Sequence, residues 1–179
     1  MRAETVRRLA VVASAVIASV GAISEAAAQN TAPATSPAQA ATLVVRGLDG
    51  REHTVSPADL ARLTRHDATV SAHQVRGRYS GVALREVLAL AGATPPSDSM
   101  RGRALSTYVV VEASDGYRVL FTLAELDPGF TDRVVILADR VNGQPLPASE
   151  GPYRVIVPGE KRPARWARQV VRISLGRPN

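Results

Sequence analysis

The stretch Ser106–Leu126, "STYVVVEASDGYRVLFTLAEL", constrains the fold more than any other. Two β-branched and aromatic runs flank Ser114, Asp115 and Gly116. Glycine accepts positive φ and aspartate hydrogen-bonds its own backbone, so these three residues predict a hairpin turn between two strands. A short helix is expected around Leu123–Leu126. One hairpin is not stable alone in water and must lie against further strands or a helix. The chain supplies them. "TLVVRGLDGREHTV" predicts two short strands around Asp49-Gly50, and "ATVSAHQV" alternates as a strand does. "RVVILAD", "YRVIVPG" and "QVVRISL" predict three more. Ser56 as N-cap, Pro57 and Asp59 open one short helix, and "SGVALREVLALAG" sets Val82, Leu84, Val87, Leu88 and Ala91 on one helical face, with Gly92 as its C-cap. Strands and short helices mix without βαβ alternation. The expectation is an α+β fold, one domain built on a mixed sheet with short helices.

The N-terminus reads differently. "MRAETVRR" is a short basic start, Leu9–Ile23 is an apolar and small-residue run, and Ala26 and Ala28 form a small-x-small cleavage pattern. Residues 1–28 are therefore predicted to be a signal peptide. The apolar run is shorter than the roughly 20 residues of a membrane span, so no stable membrane insertion is expected after cleavage. An uncleaved anchor helix is the alternative. Arg7-Arg8 leaves both the general and the twin-arginine export routes open. Residues 29–41, rich in Pro, Ala and Thr, read as a linker, and 42–179 as the folded domain. The expected location is periplasmic or secreted.

The sequence has no cysteine. A domain outside the cytoplasm then has no disulfide to hold it, and it has no thiolate to offer a metal. Its formal charge is +6, falling to +5 without residues 1–28. Basic chains often bind nucleic acid, but export argues against that partner. Lys161 is the only lysine, so the charge rests on arginine, whose planar fork suits phosphate and carboxylate. Compositional bias accounts for part of that arginine content.

Five segments in order resemble the molybdopterin-binding domain of the sulfite oxidase family: "YSGVALREVLALAG", "SDGYRVLFTLAEL", "ILADRVNGQPL", "EGPYRVIVPG" and "RWARQVVRI". Together they run from about Tyr79 to Leu175. The resemblance implies that family's fold and a pterin cofactor, molybdopterin, which carries a phosphate and a molybdenum-holding dithiolene. It implies cofactor-gripping roles for Arg154, Arg165 and Arg168, and a place for Tyr117 on the cofactor side, with Trp166 as an apolar wall. The same arginines also fit a solvated basic face, with Trp166 closing the core edge. Asp115 and Asn142 read first as turn formers.

The chain departs from the family at one position. The metal-ligating cysteine is expected within "VSAHQVRGRYSGV", which offers only Ser71, His73, Tyr79 and Ser80. Ser71 and His73 are kept as cofactor-side candidates, and no metal ligand set is assigned. His53 and His66 have no neighbour at metal-site spacing. Three functions follow. The first is a domain that binds a pterin or another small anion, with metal chemistry reduced or lost. The second is an active molybdopterin-dependent oxidoreductase without a cysteine ligand, served by a periplasmic redox protein. The third is a non-enzymatic periplasmic interaction module.

Overall fold

The strands divide between two sheets. The computed structural model describes residues 42–94, 98 and 100–178. The signal peptide and linker expected over 1–41 lie outside them. The elements are β1 (Leu43–Arg46), β2 (Glu52–Val55), α1 (Pro57–Leu60), β3 (Arg65–Ala72), β4 (Val75–Ala83), α2 (Leu84–Leu90), β5 (Tyr108–Ala113), β6 (Arg118–Thr122), β7 (Ile136–Val141), β8 (Gln144–Pro145), β9 (Arg154–Ile156) and β10 (Val170–Gly176). Short 3₁₀ turns cover Gly102–Ser106, Ala124–Leu126 and Pro163–Arg165.

The first sheet runs β2-β1-β10-β5-β6 and is mixed. β1 and β10 pair in parallel, with Val45 opposite Ile173, and the other pairs are antiparallel. The second sheet runs β3-β4-β7-β8, with β9 also paired to β7, and is antiparallel throughout. The single mixed sheet expected from sequence is thus one of two. Val45, Val111, Phe121 and Ile173 of the first sheet share a buried core with Val70, Tyr79, Leu137 and Val155 of the second. Leu84, Val87 and Leu88 of α2 complete it. The class is α+β, as the sequence predicts.

Local chemistry explains the element ends. The Ser56 hydroxyl accepts from the Asp59 amide at 3.2 Å, and the Asp59 carboxylate accepts from the Ser56 amide at 3.1 Å. This reciprocal cap opens α1, with Pro57 at its first position. One expectation needs correcting. The helix over "SGVALREVLALAG" begins at Leu84, so Val82 packs into the core from a strand. Gly81 is the reason. A Cβ there would lie 2.1 Å from the Leu137 carbonyl oxygen, so β4 can cross this close to β7 only through glycine. The pairing register slips between Ser80 and Gly81 at the same point. Past α2, Gly92 takes φ +65°, where its missing Cβ removes the usual penalty.

Candidate functional site

Three chain segments that are far apart in sequence meet around one cleft. The β5–β6 turn contributes Asp115 and Tyr117, the start of β9 contributes Arg154, and the segment after the Pro163–Arg165 turn contributes Trp166 and Arg168. The cleft holds about 430 Å³, within the range of small-molecule pockets. Val75, beside the tip of the β3–β4 hairpin, touches its rim.

Arg154 is the buried cation of the cleft, only 4% exposed. Its Nη1 lies 2.7 Å from Glu150 Oε1 and donates to the Tyr79 hydroxyl at 3.3 Å. That hydroxyl in turn donates to Glu150 Oε2 at 3.5 Å. The Arg154 guanidinium carbon stands 5.6 Å from the centre of the Tyr79 ring, within cation–π range. Burial pushes the Tyr79 phenol up from its ordinary value, partly opposed by the Arg154 charge. Arg154 Nε is buried with no protein partner. A buried donor left unmatched is costly.

Arg168 stands at the rim, exposed, with no ion-pair or hydrogen-bond partner among the described residues. Tyr117 is 49% exposed, and its hydroxyl donates to the Ala164 carbonyl at 2.6 Å. That bond latches the β5–β6 turn onto the Pro163–Arg165 turn and sets one wall. The Asp115 carboxylate accepts from the Tyr117 amide at 2.9 Å, the turn-forming contact expected from sequence. Trp166 is buried against the cleft, and its indole donates to Glu160 Oε2 at 3.1 Å.

The remaining candidates lie elsewhere. Arg165 does not line the cleft. It donates to Glu160 at 2.7 and 2.5 Å and to Glu125 at 3.0 Å, and its guanidinium covers the Phe121 ring at 4.7 Å. It also donates to the Leu120 carbonyl at 3.3 Å. Arg165 thus covers part of β6, the outer strand of its sheet. Ser71 and His73 are exposed at the end of β3 and in the turn after it, and neither lines the cleft. His73 takes φ 54°.

Glu150 and Gln169 carry the site without having been singled out in the sequence. Gln169 adopts φ 50°, a strained value for a residue with a side chain. The contacts holding it there are dense. Its side chain accepts from the Ser114 hydroxyl at 3.1 Å and donates to the Ala148 carbonyl at 2.8 Å, while its amide donates to the Glu150 carbonyl at 2.8 Å. Gln169 therefore ties together the β5–β6 turn, the loop bearing Glu150 and the entry to β10. A positive φ at a glutamine leaves no mark in the sequence.

The Oxidoreductase molybdopterin binding domain family matches residues 29–178. The chain belongs to the oxidoreductase molybdopterin-binding domain family. The sulfite-oxidase-type domain indicated by the five sequence segments is thereby confirmed, and molybdopterin is the cofactor of this family. The crystal structure of the sulfane dehydrogenase SoxCD from Paracoccus pantotrophus is similar in fold, with a TM-score of 0.53 and 21% identity. The similarity covers 75% of this chain and 37% of the SoxCD chain. No curated protein matches the sequence.

The cleft of this molybdopterin-binding domain suits the anionic, planar part of such a cofactor. Arg154 Nε offers a buried donor, Arg168 an unpaired cation, and Tyr117 and Trp166 aromatic walls. The sequence has no cysteine and therefore no thiolate to offer a metal in this cleft. Among the described residues no group of three His, Cys, Asp or Glu side chains is placed to hold a metal ion.

Proposed function

We propose that this domain binds a pterin of the molybdopterin type, or a similar small anion, in the Arg154–Arg168 cleft, and that its metal chemistry is reduced relative to the family. The observation that carries the reading is the partnerless Nε of a 4%-exposed Arg154 in the cleft wall. A phosphate or a ring carbonyl would supply the missing acceptor, and charge-assisted bonds of that kind are the strong ones. Arg168 would close on the anion from the rim, while Tyr117 and Trp166 exclude water from the ring faces. Molybdopterin, when bound, supplies a dithiolene for a metal. The protein thiolate that usually completes such a centre has no counterpart in a sequence without cysteine.

We place the protein outside the cytoplasm on the pattern of residues 1–28, with a periplasmic redox protein as the partner if turnover occurs. The test is elemental analysis with pterin fluorescence on the full chain produced in a molybdenum-replete host. About one pterin per chain with little molybdenum is the expected result. Arg168→Ala should lose the pterin without loss of stability, because that side chain holds nothing else. One molybdenum per chain with redox turnover would overturn the reduced-metal reading, and no pterin at all would overturn the cofactor reading.

A further inference from the structure

A second cavity, of about 350 Å³, lies between α2 and the segment from Leu126 to Val135 and shares no lining residue with the first cleft. Three side chains that line it carry a buried polar atom with no hydrogen-bond partner in the protein: His66 Nε2, Glu86 Oε2 and Arg133 Nε. Only one other such side-chain atom occurs among the described residues, Nε of Arg154 in the first cleft. Buried unmatched polar groups are rare and call for an explanation. Three around one cavity point to a shared partner.

The frame of this cavity is well anchored. Arg85 Nε meets the fully buried Asp127 carboxylate at 2.9 Å, and Asp127 also accepts from the Gly129 amide at 2.9 Å. The Leu84 amide at the start of α2 donates to the Val135 carbonyl at 2.9 Å. These bonds fix α2 to the segment that carries Arg133.

The unmatched atoms define what would fit. Arg133 Nε can only donate and Glu86 Oε2 can only accept. Arg85 is neutralised by Asp127, so the charges left facing the cavity are one Arg133 guanidinium and one Glu86 carboxylate, with exposed Asp132 at the edge. His66 Nε2 lies 3.8 Å from Glu86 Oε1 and is free to donate or accept. A simple anion would satisfy Arg133 and be repelled by Glu86. A metal cation would meet the opposite conflict. A ligand bearing both charges satisfies the two together, and Leu126, Pro128, Val134 and Val135 offer it an apolar wall.

We infer that this second cavity binds a small zwitterion with the chemistry of an apolar α-amino acid, carboxylate toward Arg133 and ammonium toward Glu86. The test is isothermal titration of the full chain with L-alanine, L-leucine and L-phenylalanine. Two one-ended analogues of leucine are added, 4-methylpentanoate and 3-methylbutylamine. At least one amino acid should bind. Each analogue should bind about tenfold or more weaker than leucine, because each leaves one charged group unmatched. Arg133→Gln and Glu86→Gln should each weaken amino-acid binding by a similar factor, while Arg168→Ala leaves it unchanged. Amide NMR spectra of the ligand-free variants establish that they are folded. If either variant fails to fold, the analogue series on the parent chain decides the question alone. The proposal is overturned if none of the three amino acids binds at millimolar concentration, or if the one-ended analogues match leucine. Folded variants that bind like the parent would overturn it equally.

Discussion

Glu150 Oε1 sits 2.7 Å from Arg154 Nη1, and the Tyr79 hydroxyl links the same two side chains. The cleft therefore already contains a carboxylate on its buried cation. Any anion that enters must share Arg154 with Glu150 or use its remaining donor.

Glu150→Gln should make this competition visible. Removing the carboxylate leaves a buried guanidinium without its counter-charge, a loss on the order of 3 kcal/mol. Inorganic phosphate should restore much of that stability in the variant and do less for the parent. Thermal denaturation against phosphate, with sodium chloride at matched ionic strength, reads the effect. A flat phosphate response in the variant would exclude Arg154 as an anion site.

Arg165 and Arg168, three residues apart, should behave oppositely. Arg165→Ala loses contacts to Glu160, Glu125 and the Phe121 ring, so it should cost about 2 kcal/mol of stability and leave phosphate affinity in the cleft unchanged. Arg168→Ala should leave stability unchanged and lower phosphate affinity about tenfold. Urea unfolding and phosphate titration of the two variants separate the roles.

The Arg85–Asp127 pair should be costly to break from one side. Asp127 is fully buried, so Asp127→Ala strands a charge and should cost about 3–5 kcal/mol. Replacing both partners with apolar residues, Arg85→Met with Asp127→Leu, should cost less than the single change. Denaturation midpoints test this directly. A double variant less stable than Asp127→Ala would show that the packing of the pair outweighs its charge.

Stability should fall on the alkaline side. Burial raises the phenols of Tyr79 and Tyr153 above their ordinary value of 10.0. The folded chain thus keeps these protons to higher pH than the unfolded chain does. Their contribution is complete below about pH 10 and is lost as pH climbs through the raised folded values. Urea midpoints between pH 8 and 11.5 should decline, and Tyr79→Phe or Tyr153→Phe should each flatten that decline.

Much of the fold was legible because its signals are local. Asp49-Gly50 and Asp115-Gly116 mark their hairpins, Ser56 with Asp59 marks a cap, and Gly92 marks a helix end. The sequence hid what depends on distant partners. Nothing near Val75–Ala83 shows that Gly81 must slip beneath the Leu137 carbonyl, so Val82 read as helical. The two-sheet division follows from strands choosing neighbours tens of residues away. In the site, the resemblance pointed to Arg154, Arg168 and Tyr117, which line one cleft. It did not separate Arg165 from Arg168. That difference arises from the turn at Pro163–Arg165, which directs one guanidinium to Glu160 and leaves the other at the rim. Tyr79, 75 residues away, meets Arg154 only through tertiary packing.

The parallel pairing of β1 with β10 also sets an order of assembly. β1 begins at residue 43, but its second neighbour is not complete until residue 176. The β1–β2 and β5–β6 hairpins can form from local contacts, yet the first sheet stays in two pieces until β10 joins them. Until then both pieces present open strand edges, the surfaces most prone to mispairing. The seven-residue strand β10 is thus the clasp of the domain, and the first sheet closes only when it docks between β1 and β5.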